Sequence, residues 1–187
     1  IRQVFKKNKI DLVGSTTAGE IFNNSVSEKS IVTLLLKFSH PNSYSIDLYE
    51  NEYADLKELG QKAAANSRQM YEDPTIIVLS GGIRADGEEL VRGLSDRQIG
   101  QHRLFGALAG DDLKMQDTYI FTGDQSSNNG IVCLSLNSRY VRAEGVATSG
   151  WESIGTEKVV TQSRGNVVFS IDNRPAVDIF LDYFNKP

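Results

Sequence analysis

Residues 118–148, TYIFTGDQSSNNGIVCLSLNSRYVRAEGVAT, decide the fold class, because they hold three strand-like stretches in succession with no helical pattern between them. We predict strands over 118–121, 130–136 and 140–148, separated by clusters of turn-forming residues. Consecutive strands favour an α+β domain over an alternating α/β arrangement. The sequence therefore predicts a layered α+β fold with a large, mostly antiparallel sheet system flanked by helices.

The rest of the chain mixes strand and helix patterns. Residues 31–38, IVTLLLKF, form a nearly continuous apolar run, which is typical of a strand buried on both faces. Asp55 lies where a helix N-cap would, with Glu58 three residues further on. The other predicted strands are 10–13, 44–49, 75–79, 103–105 and 167–171, and the predicted helices are 1–9 (the end of a helix), 55–71, 86–94 and 176–184.

Composition limits the function classes. The chain has 187 residues, of which 40% are hydrophobic and 24% charged, so we expect one domain or two tightly packed halves. A net charge of -4 argues against a nucleic-acid partner. No apolar stretch approaches the roughly 20 residues that span a bilayer. The single cysteine, Cys133, is predicted to be a buried small hydrophobic residue. We expect a cytoplasmic protein with no membrane partner.

Two segments of the sequence resemble each other. LVGSTTAGE at 12–20 is echoed by LFGALAGD at 104–111, and each is followed by an apolar run and then by a strand that begins at a tyrosine. This similarity predicts two related halves, a pseudo-repeat covering about 10–54 and 75–151. The alternative is that the two short Gly- and Ala-rich segments resemble each other by chance.

The repeat also bears on how the chain assembles. The second half has a strand and a helix that the first half lacks, because the chain begins at Ile1. We therefore expect residues 1–187 to be a single domain that is a fragment. A sheet edge left exposed by the missing elements would pair with another chain, so a homodimer is among the expectations.

The motifs for common catalytic sites are missing or broken. Gly14 and Gly19 have the spacing of a phosphate-binding loop, but Glu20 stands where that loop needs lysine. There is no G-x-S-x-G motif, and His40 and His102 are the only histidines. We predict no catalytic residues and no metal site.

The two glycine-rich loops could instead bind a small polar ligand. Backbone N–H groups and hydroxyls would bind one end of a zwitterion such as an amino acid, and the acids would hold its ammonium group. In the alternative interpretation, both loops are tight turns whose acids cap amides. Trp151 would line the pocket mouth or cover the core edge. The candidate ligand-binding residues are Gly14, Ser15, Thr16, Thr17, Gly19, Glu20, Gly106, Gly110, Asp111, Asp112 and Trp151.

Four segments of the chain carry recognisable motifs: VGSTTAGEI at 13–21, FGALAGD at 105–111, SGWESIG at 149–155, and VT, GNVV and IDNRPA within 160–176. In this order along the chain, they resemble signatures of the FIST domain family. Ser15 replaces the usual cysteine in the first, and Ser153 replaces the usual proline in the third.

The resemblance is to the N-terminal part of the FIST module, which is normally followed by a C-terminal FIST part. It implies a sensory module of intracellular signal transduction, coupled to a histidine kinase, a chemoreceptor or a cyclic-dinucleotide enzyme. Amino acids are the ligands proposed for the family, and some members bind haem and sense nitric oxide. The family has no established catalytic residues.

Three functions are therefore open. The leading one is a non-enzymatic sensory domain that binds a small polar ligand near the glycine-rich loops. The second is a haem-based nitric-oxide sensor, for which His102 is the better candidate ligand. The third is a hydrolase that uses Asp111 and Asp112.

Overall fold

A computed structural model describes residues 2–51, 55–83, 85–100, 102–153 and 155–184. The chain divides into two units, residues 1–145 and 146–187. The elements of the first unit are α1 (Arg2–Lys7), β1 (Val13–Ser15), β2 (Glu20–Phe22), β3 (Ser25–Ser27), β4 (Tyr44–Glu50), α2 (Leu56–Met70), β5 (Pro74–Ser80), α3 (Gly87–Leu94), β6 (Arg103–Leu108), β7 (Ile120–Thr122), β8 (Ser126–Ser127) and β9 (Gly130–Asn137).

A four-stranded sheet in the order β4–β9–β5–β6 forms the centre of the first unit. Strand β9 pairs antiparallel with both β4 and β5, whereas β6 is parallel to β5, which α3 allows by crossing between them. The predicted mixed α+β class with mostly antiparallel sheets is confirmed.

Helices α2 and α3 cover one face of this sheet. Both helices begin at an aspartate N-cap: Asp55 accepts hydrogen bonds from the N–H groups of Lys57 and Glu58, and Asp86 does the same for α3. The predicted start of α2 is thus confirmed. The core between helices and sheet consists of Leu56, Ala63, Ala64, Ile76, Val78, Leu90, Leu94, Ile131 and Cys133.

Smaller sheets complete the two units. In the first unit, β7 pairs antiparallel with β1 and β8, and β2 forms a hairpin with β3. The second unit contains β10 (Val160–Arg164), β11 (Val167–Ile171), β12 (Arg174–Pro175) and α4 (Ala176–Phe184), with β11 between β10 and β12. No helix in the described ranges combines the length and apolar character needed to cross a bilayer.

Two strand predictions are wrong, and a third, 10–13, overlaps the observed β1 (Val13–Ser15) only at Val13. Residues 31–38 lie outside any helix or strand, and Leu34 and Leu35 are 78% and 69% exposed instead of buried. Residues 140–148 also lie outside any helix or strand. A run of β-prone side chains becomes a strand only where another strand offers its backbone groups, and no described strand pairs with either segment.

The two related halves are not seen in the structure. Strand β1, before the first glycine-rich loop, pairs antiparallel with β7, whereas β6, before the second, pairs parallel with β5. Similar loop sequences therefore follow strands in different sheets.

Candidate functional site

The two glycine-rich loops lie side by side. We call residues 14–20 glycine loop 1 and residues 106–112 glycine loop 2. The Gly110 N–H donates to the Thr16 carbonyl oxygen at 3.0 Å, and the Asp112 N–H donates to that of Thr17 at 3.3 Å. Glycine loop 2 is also tied to β5, because the Ala109 N–H donates to the Ser80 carbonyl oxygen at 2.8 Å. Two segments about ninety residues apart thus form one backbone-bonded corner.

Glycine at position 110 is required by this close approach. A Cβ there would lie 2.7 Å from the backbone nitrogen of Ala18 and 2.9 Å from the carbonyl carbon of Thr17. Contacts that short would force the loops apart. Gly106 lies earlier, within β6, where a Cβ would stand 2.1 Å from the Val78 carbonyl oxygen. Glycine at position 106 therefore allows β6 to pack closely against β5.

A cavity of about 1760 Å³ opens beside this corner. Most of the candidate residues line it, whereas Gly106 and Gly110 do not. Trp151 belongs to the second unit, where its side chain is 93% exposed. The candidate residues along the cavity are Gly14, Ser15, Thr16, Thr17, Gly19, Glu20, Asp111 and Asp112.

The carboxylates at the corner already accept hydrogen bonds. Glu20 accepts from the Thr17 hydroxyl at 2.7 Å and from the Ser30 hydroxyl at 3.0 Å, and these two bonds lower the pKa of Glu20. Asp111 accepts from the Gln116 backbone N–H at 2.7 Å, which likewise lowers the pKa of Asp111. Both acids are therefore ionised at neutral pH.

Two further residues shape the corner. The Thr16 hydroxyl accepts the Tyr119 backbone N–H at 2.9 Å, while the Thr16 N–H donates to the Tyr119 carbonyl oxygen at 2.8 Å. Asp112 has a φ of 55°, in the left-handed region, and lies 3.5 Å from the Lys114 ammonium group. The corner thus combines fixed hydroxyls, ionised acids and one nearby lysine.

Comparison with known proteins places this chain in a family. The family model of the FIST N domain matches residues 1–174. The chain belongs to the FIST N domain family. FIST N domains are sensory domains of signalling proteins, generally without catalytic activity. A search of curated proteins and a search of solved structures each found no significant match.

An apolar part of the cavity wall in this FIST N domain was not predicted from the sequence. Ile46, Ile77, Leu79 and Leu134 line the cavity from the sheet face opposite the helices. In β5 they alternate with the buried residues of the core. The continuous apolar run in β5 was the available signal, because it requires apolar surroundings on both faces of the sheet.

His102 lies at the other end of β6 from glycine loop 2. Its side chain is half-buried, and both enclosed ring nitrogens lie near the backbone of Leu94 and Gly100 without reaching hydrogen-bond geometry with a described residue. Burial lowers the pKa of His102, and the nearby carbonyl groups of Leu94 and Gly100 offset only part of that effect. The described part of this FIST N domain holds no group of three or more His, Cys, Asp or Glu side chains suited to a metal ion.

Proposed function

We propose that this FIST N domain is a non-enzymatic, cytoplasmic sensory domain that binds a small polar ligand of amino-acid type at the corner formed by the two glycine loops. The observation that carries the proposal is the pair of hydrogen bonds from Gly110 to Thr16 and from Asp112 to Thr17, which makes both loops border one cavity. A ligand at this corner contacts both loops at once.

The chemistry of the corner suits a zwitterion. Glu20 and Asp111 are ionised, and each carboxylate can accept more hydrogen bonds than it receives within the protein. They bind the ammonium group. Ser15 and the ammonium group of Lys114 provide donors for the carboxylate of the ligand.

Signalling requires that the ligand favour one arrangement of the loops over another. A ligand shifts such an equilibrium only by its difference in affinity for the two arrangements. The two hydrogen bonds described between the loops join backbone groups, so a small separation of the loops breaks both. The output would pass to a histidine kinase, a chemoreceptor or a cyclic-dinucleotide enzyme, since FIST domains occur in signalling proteins.

Thermal-shift screening and calorimetry with the proteinogenic amino acids test the proposal. At least one amino acid should raise the melting temperature of the wild type. Glu20→Gln and Asp111→Asn should abolish that rise, whereas Glu88→Gln, which alters an exposed carboxylate on α3, should keep it. Melting of each variant without ligand separates lost binding from lost folding. A complete screen with no stabilising amino acid would contradict the proposal.

A haem-based sensor is the second candidate, and the imidazole of His102 favours it. A neutral ring nitrogen that forms no hydrogen bond of good geometry with a described residue is suited to an axial iron ligand. Reconstitution with haem should give a Soret band that His102→Ala removes and His40→Ala leaves unchanged. A spectrum unaffected by either substitution would eliminate His102 as the ligand.

A further inference from the structure

Residues 31–38, which we call the apolar strap, are fixed at both ends. Before it, the Ser30 hydroxyl donates to Glu20 and lies 2.7 Å from the Ser27 hydroxyl in β3. At its far end, the ring of Phe38 packs on that of Tyr44 in β4, with 4.9 Å between centroids. The strap is thus a held segment and not a free loop.

Between these anchors the backbone of the strap is unpaired. No hydrogen bond joins a backbone group of residues 31–38 to another backbone group within the described ranges. Its sequence is strongly β-prone, with Ile31, Val32 and Thr33 followed by three leucines. A row of unsatisfied N–H and C=O groups on β-prone residues is a template for an incoming strand.

The strap also faces an apolar surface. It lines the same cavity as the sheet residues Ile46, Ile77 and Leu134, and Leu34 and Leu35 remain largely exposed. An amino acid at the glycine loops would leave most of this apolar wall uncovered. The strap itself, with eight residues, is long enough for an extended peptide to add its own backbone to it.

Charge indicates the chemistry of that peptide. Lys29 and Lys37 flank the apolar residues, and neither forms an ion pair with a described residue. If two copies of the strap paired antiparallel, Lys29 of one would lie near Lys37 of the other, and like charges at such positions are destabilising. An acidic residue at each end of the incoming strand would instead neutralise both lysines.

We propose that the apolar strap is a strand-addition site for an extended segment of a partner protein that has alternating apolar side chains and an acidic residue at each end. The contacts of this partner segment lie along residues 31–38 and not between the glycine loops, although Ser30 ties the strap to Glu20 at the corner.

Fluorescence anisotropy with labelled peptide pools tests the proposal. The pools are about ten residues long, the span between the two lysines. Alternate positions carry Val, Ile or Leu and the others Thr, and the ends are both glutamate in one pool and both lysine in the other. The wild type should bind the glutamate-ended pool about five- to tenfold more tightly. Lys29→Glu with Lys37→Glu should reverse that preference, and the matched pair Lys57→Glu with Lys62→Glu on α2 should not.

A backbone variant separates strand addition from simple apolar contact. Leu34→Pro removes one backbone N–H group at a residue whose side chain is already exposed, so it should weaken binding at least tenfold without lowering the melting temperature. Absence of binding to either pool, or equal binding to both, would overturn the proposal. So would a dimer of the wild type that Leu34→Pro dissociates in sedimentation, because the occupant would then be a second copy.

Discussion

The runs IVTLLL at 31–36 and IVCLSL at 131–136 start with the same two residues and have the same β-prone character, yet their environments are opposite. Ile31 is 69% exposed and Ile131 is fully buried. The second run is β9, which has a strand on each side and helices over one face, whereas the first has no paired neighbour in the described chain. Composition identifies a potential strand, and its neighbours determine whether one forms.

The largest expected difference between the two runs is in thiol accessibility. Thr33 and Cys133 occupy equivalent third positions. Burial raises the pKa of Cys133 to about 12, so both exposure and ionisation require the protein to open. Thr33→Cys in a Cys133→Ala background should react with a chromogenic disulfide at neutral pH about a thousandfold faster than Cys133 in the wild type. Equal rates would show that the two runs are equally accessible.

The second largest difference is expected in the loss of stability when the first side chain of each run is truncated to alanine. Ile131→Ala removes a fully buried side chain from the core and should lower the free energy of unfolding by about 2–5 kcal/mol. Ile31→Ala should change it by about 0.5 kcal/mol or less. Urea denaturation measures both. A comparable loss in the two variants would mean that the apolar strap is buried in solution.

The glycines that precede the two runs should also differ. A Cβ at position 106 meets the Val78 carbonyl oxygen, which is backbone, whereas a Cβ at position 14 meets the tip of the Phe121 ring at 2.6 Å. A ring can rotate away, but a strand in a sheet cannot. We expect Gly106→Ala to cost about 1–3 kcal/mol and Gly14→Ala to cost less, measured by urea denaturation. The reverse order would contradict this account of the parallel β5–β6 pair.

The smallest expected effect concerns Asp47, the neighbour of Cys133 in the β4–β9 register. Burial raises the pKa of Asp47, and the Ser45 hydroxyl offsets only part of that effect. The folded protein therefore holds this proton more tightly than the unfolded chain, so the carboxylate costs stability once the pH exceeds the unfolded pKa. Asp47→Asn should raise the melting temperature at pH 7, and the gain should disappear toward pH 3. A gain that persists at pH 3 would exclude this cause.

Local signals predicted the elements that depend on local contacts. The Asp55 cap marked the start of α2, and apolar runs marked β5 and β9. The resemblance of GSTTAGEI and GALAGD to FIST signatures identified the family. The candidate loops, chosen for their small residues and acids, do adjoin.

The failures arise from long-range pairing. The sequence IVTLLLKF gives no sign that it lacks a strand partner among the described residues. The sequence of β6 likewise gives no sign that its neighbour β5 runs parallel to it. The sequence similarity of the two loops extends to their turns but not to the sheets that hold them. The apolar cavity wall depends on which face of β5 the helices leave uncovered, and residue spacing does not fix that choice.

The strand order β4–β9–β5–β6 also determines the order in which the sheet can form during synthesis. Leu136 lies between Tyr44 and Thr75 in the register, although it is the last of the three to be synthesised. Helices α2 and α3 with β5 and β6 can assemble early, but β4 must wait on the order of ten seconds at ribosomal speed for β9. During that interval residues 44–50 expose an unpaired edge. We therefore expect chaperones to bind the nascent chain before residue 137 emerges from the ribosome.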